Sequence, residues 1–103
     1  MTGSGPWLLD KFVDALGRWQ HLEKPDPALV RTVELWMAAR ADVATEGCHR
    51  DPGMPDHWFA EVRGTARGAG PTGTVVVCSF LVFHTERRLQ CTTLATLTRP
   101  VTG

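Results

Sequence analysis

The stretch that decides the fold is TVVVCSFLVFHTERRLQCTTLATLT, Thr74 to Thr98. Its first part is β-branched and aromatic, and its last part alternates more loosely, so the segment reads as two strands joined near Glu86-Arg87. If those two residues form the turn, Thr85 pairs with Arg88, Phe80 with Thr93 and Val82 with Cys91. One face then carries Val76, Cys78, Phe80, Val82 and His84 beside Leu89, Cys91, Ala95 and Leu97. The other carries Val75, Val77, Ser79, Leu81 and Phe83 beside Gln90, Thr92, Leu94 and Thr96. Cys78 and Cys91 share a face but stand four residues apart in this register, roughly 13 Å. A disulfide needs Cα atoms within about 7 Å, so both read as small buried hydrophobes.

The run from Val75 to Phe83 is apolar on both faces, which requires cover on both sides. Two short helices cover one. Leaving Val77, Leu81 and Phe83 in water would forgo about 1.5–3 kcal/mol each. The reading therefore calls for a second copy of the chain, a larger partner subunit or a bound apolar small molecule, with Trp58, Val77, Leu81 and Phe83 as pocket or interface residues.

Upstream, Leu8, Phe12, Leu16 and Trp19 recur at helical spacing after Pro6, predicting a helix over about 6–20. Asp26 followed by Pro27 marks the start of a second helix over 27–45, with Leu29, Val33, Trp36 and Met37 as its buried stripe and Gly47 as its C-cap. CHRDPGMPD, Cys48 to Asp56, reads as a loop, and a strand starts at His57. ARGAGPTG, residues 66–73, reads as a glycine-rich turn. The expected architecture is α+β: two N-terminal helices on a curved antiparallel sheet of three or more strands, a single domain over 1–103.

Composition narrows the function. The 103 residues include eleven basic and eleven acidic side chains, split almost evenly between the halves, and 43% are hydrophobic. Such a balance lacks the concentrated positive field of a nucleic-acid binder, so no nucleic-acid partner is expected. No apolar run approaches the roughly 18 residues of a membrane span, and the N-terminus lacks a secretory pattern. A cytoplasmic location with three reduced cysteines follows. Nine arginines against two lysines, with no Ile, Asn or Tyr, suggest a high-GC bacterial source.

Residues 50–88 carry a resemblance. RDPGMPDHWFAEVRG followed by a glycine turn and VVVCSFLVFHTERR resembles the small (β) subunit of aromatic-ring-hydroxylating dioxygenases, in the NTF2-like, SnoaL-like superfamily. The matching positions are Asp51, Pro52, His57, Val62, Arg63, Ser79, Phe80, Leu81, Val82, Phe83 and Thr85. The resemblance implies a cone of curved antiparallel sheet closed by helices, here shortened on its N-terminal side. It also implies an oligomeric accessory subunit without metal or cofactor, since iron in those enzymes sits in the large subunit.

Three further site readings come from the residues. Cys48, His49, Asp51, Asp56 and His57 are ligand types, but their spacing fits no zinc template, so no metal site is expected. Asp56 and His57, with His84 on the next strand, form a candidate acid–base set for a small-molecule isomerase, cyclase or dehydratase working in an apolar pocket. Ranked behind these is a small metal-independent ribonuclease, with His57, Glu61 and Arg63 on one strand and His84, Arg87 and Arg88 ending the next.

Overall fold

The computed structural model of the protein describes residues 5–68 and 73–98. The centre of the glycine-rich turn, the extreme N-terminus and Pro100, expected to stop the last strand, lie outside the described residues. The elements run β1 (Leu8–Asp10), α1 (Phe12–Glu23), α2 (Pro27–Val43), β2 (His49–Asp51), β3 (Met54–Glu61), β4 (Thr74–Phe83) and β5 (Arg88–Thr98). They form one five-stranded sheet in the order β1-β5-β4-β3-β2, with both helices packed on it. The α+β class holds. The sheet is mixed rather than antiparallel, because β1 runs parallel to β5.

That first strand replaces the front of the expected first helix. Trp7 donates its amide to the Ala41 carbonyl at 2.7 Å, and Leu8 to Arg87 at 2.8 Å, so the chain enters extended along β5. Lys11, in the left-handed region at φ 66°, turns it into α1. From there Phe12, Ala15 and Trp19 are buried at helical spacing. Leu8 satisfied the same spacing on paper, yet it is 63% exposed on the edge strand. In α2 the expectation holds closely: Asp26 caps the helix by accepting from the Leu29 amide at 2.9 Å, and Leu29, Val33 and Met37 are buried. The helix closes at Ala44 rather than Gly47.

The Asp-Pro segment is not a loop but a hairpin. β2 pairs antiparallel with β3, and Pro52-Gly53 supplies the tight turn that brings Asp51 opposite Met54. The central hairpin also departs from its expected register. Phe83 pairs with Arg88, so the connection is the four-residue His84–Arg87 loop, with Arg87 at φ 47°. The two-residue Glu86-Arg87 turn is corrected; those residues lack the Asn-Gly chemistry that such turns favour.

A bulge then shifts the ladder. Phe80 pairs with Cys91, whereas Ser79 pairs with Thr93, leaving Thr92 as the extra residue in β5. Two consequences follow. The Cys78 and Cys91 sulfurs lie 3.8 Å apart as buried free thiols, not at the separation the two-residue turn implied. Beyond the bulge β5 also turns over, so Leu94 joins the helix-covered core while Ala95 and Leu97 stand on the opposite face.

The core lies between the helices and one sheet face. Phe12, Trp19, Val33 and Met37 meet Val76, Cys78, Phe80, Val82 and Leu89. Trp19 also donates its indole N–H to Thr96 Oγ1 at 3.0 Å, tying α1 to β5 past the bulge. Trp58, expected at a pocket or interface, packs against this core. The opposite face, with Val77, Leu81 and Phe83 half-buried, is covered by no helix among the described residues. No closed cone forms, because both helices sit on the same side.

Candidate functional site

The open face of the sheet gathers a line of polar groups. On β3, His57, Phe59 and Glu61 alternate onto it, opposite Trp58 and Ala60, which face the core. Asp51, at the end of β2, is held by its own turn: Oδ1 accepts the Gly53 amide at 2.9 Å. Its other oxygen, Oδ2, faces His57 Nδ1 at 3.3 Å. The Gly53 hydrogen bond first, and His57 second, hold the Asp51 carboxyl below its ordinary range.

An ionised carboxylate only accepts, so His57 Nδ1 is the donor toward Asp51, and Nε2 is the nitrogen turned toward Thr92. Nε2 lies 3.4 Å from Thr92 Oγ1, and Thr92 Oγ1 lies 2.7 Å from Ser79 Oγ. The bulge makes this possible: as the extra residue, Thr92 brings its hydroxyl within reach of both groups. The His57 side chain is 22% exposed, supported on one side and open to solvent on the other. A carboxylate-oriented histidine whose Nε2 makes only a long 3.4 Å contact to the Thr92 hydroxyl is suited to taking a proton from a bound hydroxyl that displaces it.

The other expected site residues are distributed differently. Asp56 and His84 do approach, at 4.0 Å, but both side chains are about 70% exposed (70% and 71%) and His84 lies in the hairpin loop. They form no acid–base pair with His57, which alternation along β3 puts on the opposite face from Asp56. The acid–base set thus splits, and Asp51 rather than Asp56 is the carboxylate that meets His57. That partner was hidden in the sequence because the Asp-Pro segment read as a loop; the Asp-Pro-Gly turn signature was its only trace.

Arg63 falls beyond the end of β3. Arg87 turns away from the open face, with its guanidinium 4.8 Å above the Trp7 ring and a donor on the Gly5 carbonyl. Arg88 does stand on the open face, 4.1 Å over the Phe83 ring, paired with Asp10 at 3.1 Å and Glu86 at 3.2 Å. It lies two strands over and two residues along from His57, about 12 Å between Cα atoms on an ideal lattice. His49 packs at a tilt against Phe59, and Cys48 meets Arg40, so of the ligand-type residues only Asp51 and His57 come together. Among the described residues no group of three His, Cys, Asp or Glu side chains could hold a metal ion.

No family model matches the chain, and no curated protein matches it in sequence. One solved structure does share its architecture: the Escherichia coli toxin RelE, a variant with two arginines replaced by alanine, in the free state. The likeness spans 87% of this chain and 82% of that one, with a TM-score of 0.55 and 15% identity. The chain therefore shares the fold of that structure.

This overturns the NTF2-like and dioxygenase β-subunit resemblance and the accessory-subunit function drawn from it. The residues behind that resemblance, Ser79 to Phe83 above all, belong to a central hairpin strand whose apolar run any covered sheet would require. The small-molecule isomerase, cyclase or dehydratase reading falls with it, since its pocket was the interior of the cone. The exclusion of nucleic acid, which rested on the balanced and evenly split charge, is not supported by this likeness. No helix among the described residues is long and apolar enough to cross a membrane.

Proposed function

We propose that the chain is a toxin-type ribonuclease that cleaves single-stranded RNA on the open face of its sheet, with His57 as general base. The observation that carries this reading is the Asp51–His57–Thr92 alignment, which leaves a basic nitrogen facing an accessible surface. His57 Nε2 takes the proton of a ribose 2′-hydroxyl, and that oxygen attacks the adjacent phosphorus as the bond to the 5′-oxygen breaks. The products are a 2′,3′-cyclic phosphate and a 5′-hydroxyl, whose proton comes from water. Arg88 exchanges one of its two carboxylate partners for the phosphate and offsets the charge that develops there.

The test is cleavage of a short single-stranded RNA in excess chelator, with the products analysed for a cyclic phosphate end. Replacing His57 by Gln is expected to slow cleavage by about 10²–10⁴-fold without loss of fold. Wild-type protein that leaves RNA intact, both free and in a translating extract, would overturn the reading, and so would a His57→Gln variant of undiminished rate.

A further inference from the structure

Next to His57 on the same face lies a groove of about 540 Å³, lined by Gly47, His49, Phe59, Glu61, Val77 and Leu97. Its volume is in the range of small-molecule sites. Phe59 remains 38% exposed, and His49 pairs with it across β2 and β3, the ring centroids 5.7 Å apart and the planes inclined by 35°. Val77 and Leu97 supply an apolar floor. Phe59 is two residues along β3 from His57, about 6.7 Å, a separation close to that of a phosphate and the base next to it in an extended strand. Single strands are held by stacking bases on aromatic rings, a contact that ordered apolar packing alone does not need.

We propose that this groove is a nucleobase subsite, in which a purine flanking the scissile phosphate stacks on the exposed Phe59 ring with the inclined His49 ring at its edge. A purine, with the larger stacking surface, is favoured there over a pyrimidine. Placed there, the base fixes the register of the strand, so that the neighbouring 2′-hydroxyl meets His57 Nε2. The inference rests on the ribonuclease reading. A purely structural role for the ring pair, as a cross-strand contact bracing β2, would affect stability but not base discrimination.

Two measurements separate the proposals. In the first, wild-type and Phe59→Leu proteins cleave an RNA with a purine beside the scissile step and the same RNA with that base removed. The wild type is expected to show a KM about tenfold or more higher for the abasic RNA. Phe59→Leu should raise KM for the intact RNA and lose the discrimination. Equal KM values for the two substrates with wild type would overturn the subsite while leaving the ribonuclease reading standing. In the second, guanosine monophosphate is titrated into wild-type protein and followed by NMR. Shifts centred on His49, Phe59 and Val77, larger than uridine monophosphate produces, support the subsite even if no RNA is cleaved. The absence of such shifts overturns it.

Discussion

Asp51 shows how much a single side chain contributes to the site. Its carboxylate closes a turn through Gly53 and orients His57, so one residue serves both the β2–β3 hairpin and the base. Because its pKa is lowered in the folded protein, its contribution to stability is present above the unfolded value of about 3.9 and is lost as pH falls through the folded value. Wild type and Asp51→Asn should therefore differ in urea midpoint at neutral pH and converge in strong acid. A difference that persists unchanged to low pH would show that the turn does not depend on the charge. The buried thiols are a different case. Cys78, hydrogen-bonded to Cys91 and desolvated, has its pKa pushed well up and stays protonated, consistent with a packing role.

Among the elements, α2 and β5 hold the features that matter most. Arg40 is 6% exposed at the end of α2, where it donates to the Trp36, Ala44 and Glu46 carbonyls and reaches the Cys48 sulfur. Its guanidinium lies 4.3 Å over the Trp36 ring. The side chain thus closes the helix that glycine was expected to close, and fixes the chain that leads into β2. Arg40→Met should cost about 2–4 kcal/mol in urea unfolding, because several carbonyls lose their donor. Arg40→Lys should recover less than half of that, since an ammonium lacks the planar fork.

The β5 bulge gives a second prediction. Deleting Thr92 would join Cys91 directly to Thr93 in an unbroken ladder, keeping Leu94 on the core face and Thr96 beside Trp19 while removing the hydroxyl that meets His57 and Ser79. That deletion and Thr92→Ala should therefore both stay within about 1 kcal/mol of wild type in urea unfolding. A loss of more than about 3 kcal/mol on deletion alone would show that the bulge itself, rather than the pairing on either side of it, holds β5 in place.

For the whole molecule, balanced charge and an open face together define the kind of RNA contact expected. Eleven positive and eleven negative side chains leave no broad field, and Arg88 is the arginine assigned to the phosphate. Binding should then depend mainly on stacking and on one or two phosphate contacts. For single strands each neutralised phosphate contributes a slope of about −0.7 in log K against log salt, so a total of about −0.7 to −1.4 is expected. The affinity of His57→Gln for single-stranded RNA, measured across salt concentrations, checks this. A slope steeper than about −3 would show that phosphate contacts, rather than the face itself, dominate binding.

Helix periodicity, the Asp26 cap and the β-branched hairpin strands made the α+β class, α2 and the strand that became β4 legible from local residues alone. Each depends on interactions within a few positions along the chain, where spacing and propensity act directly. The same logic called for cover on both faces of Val75–Phe83, whereas among the described residues the helices cover one. What it could not supply were contacts whose partners are distant in sequence. β1 exists because Leu8–Asp10 meets Arg88–Gln90, and no local pattern distinguishes that edge strand from a helical turn. The carboxylate beside His57 was settled by the Pro52-Gly53 turn, and the hydroxyl beside it by one extra residue in β5. A single-residue shift in a strand exchanges its faces, so the membership of the open face, and with it the site, was decided only when the strands were brought into register.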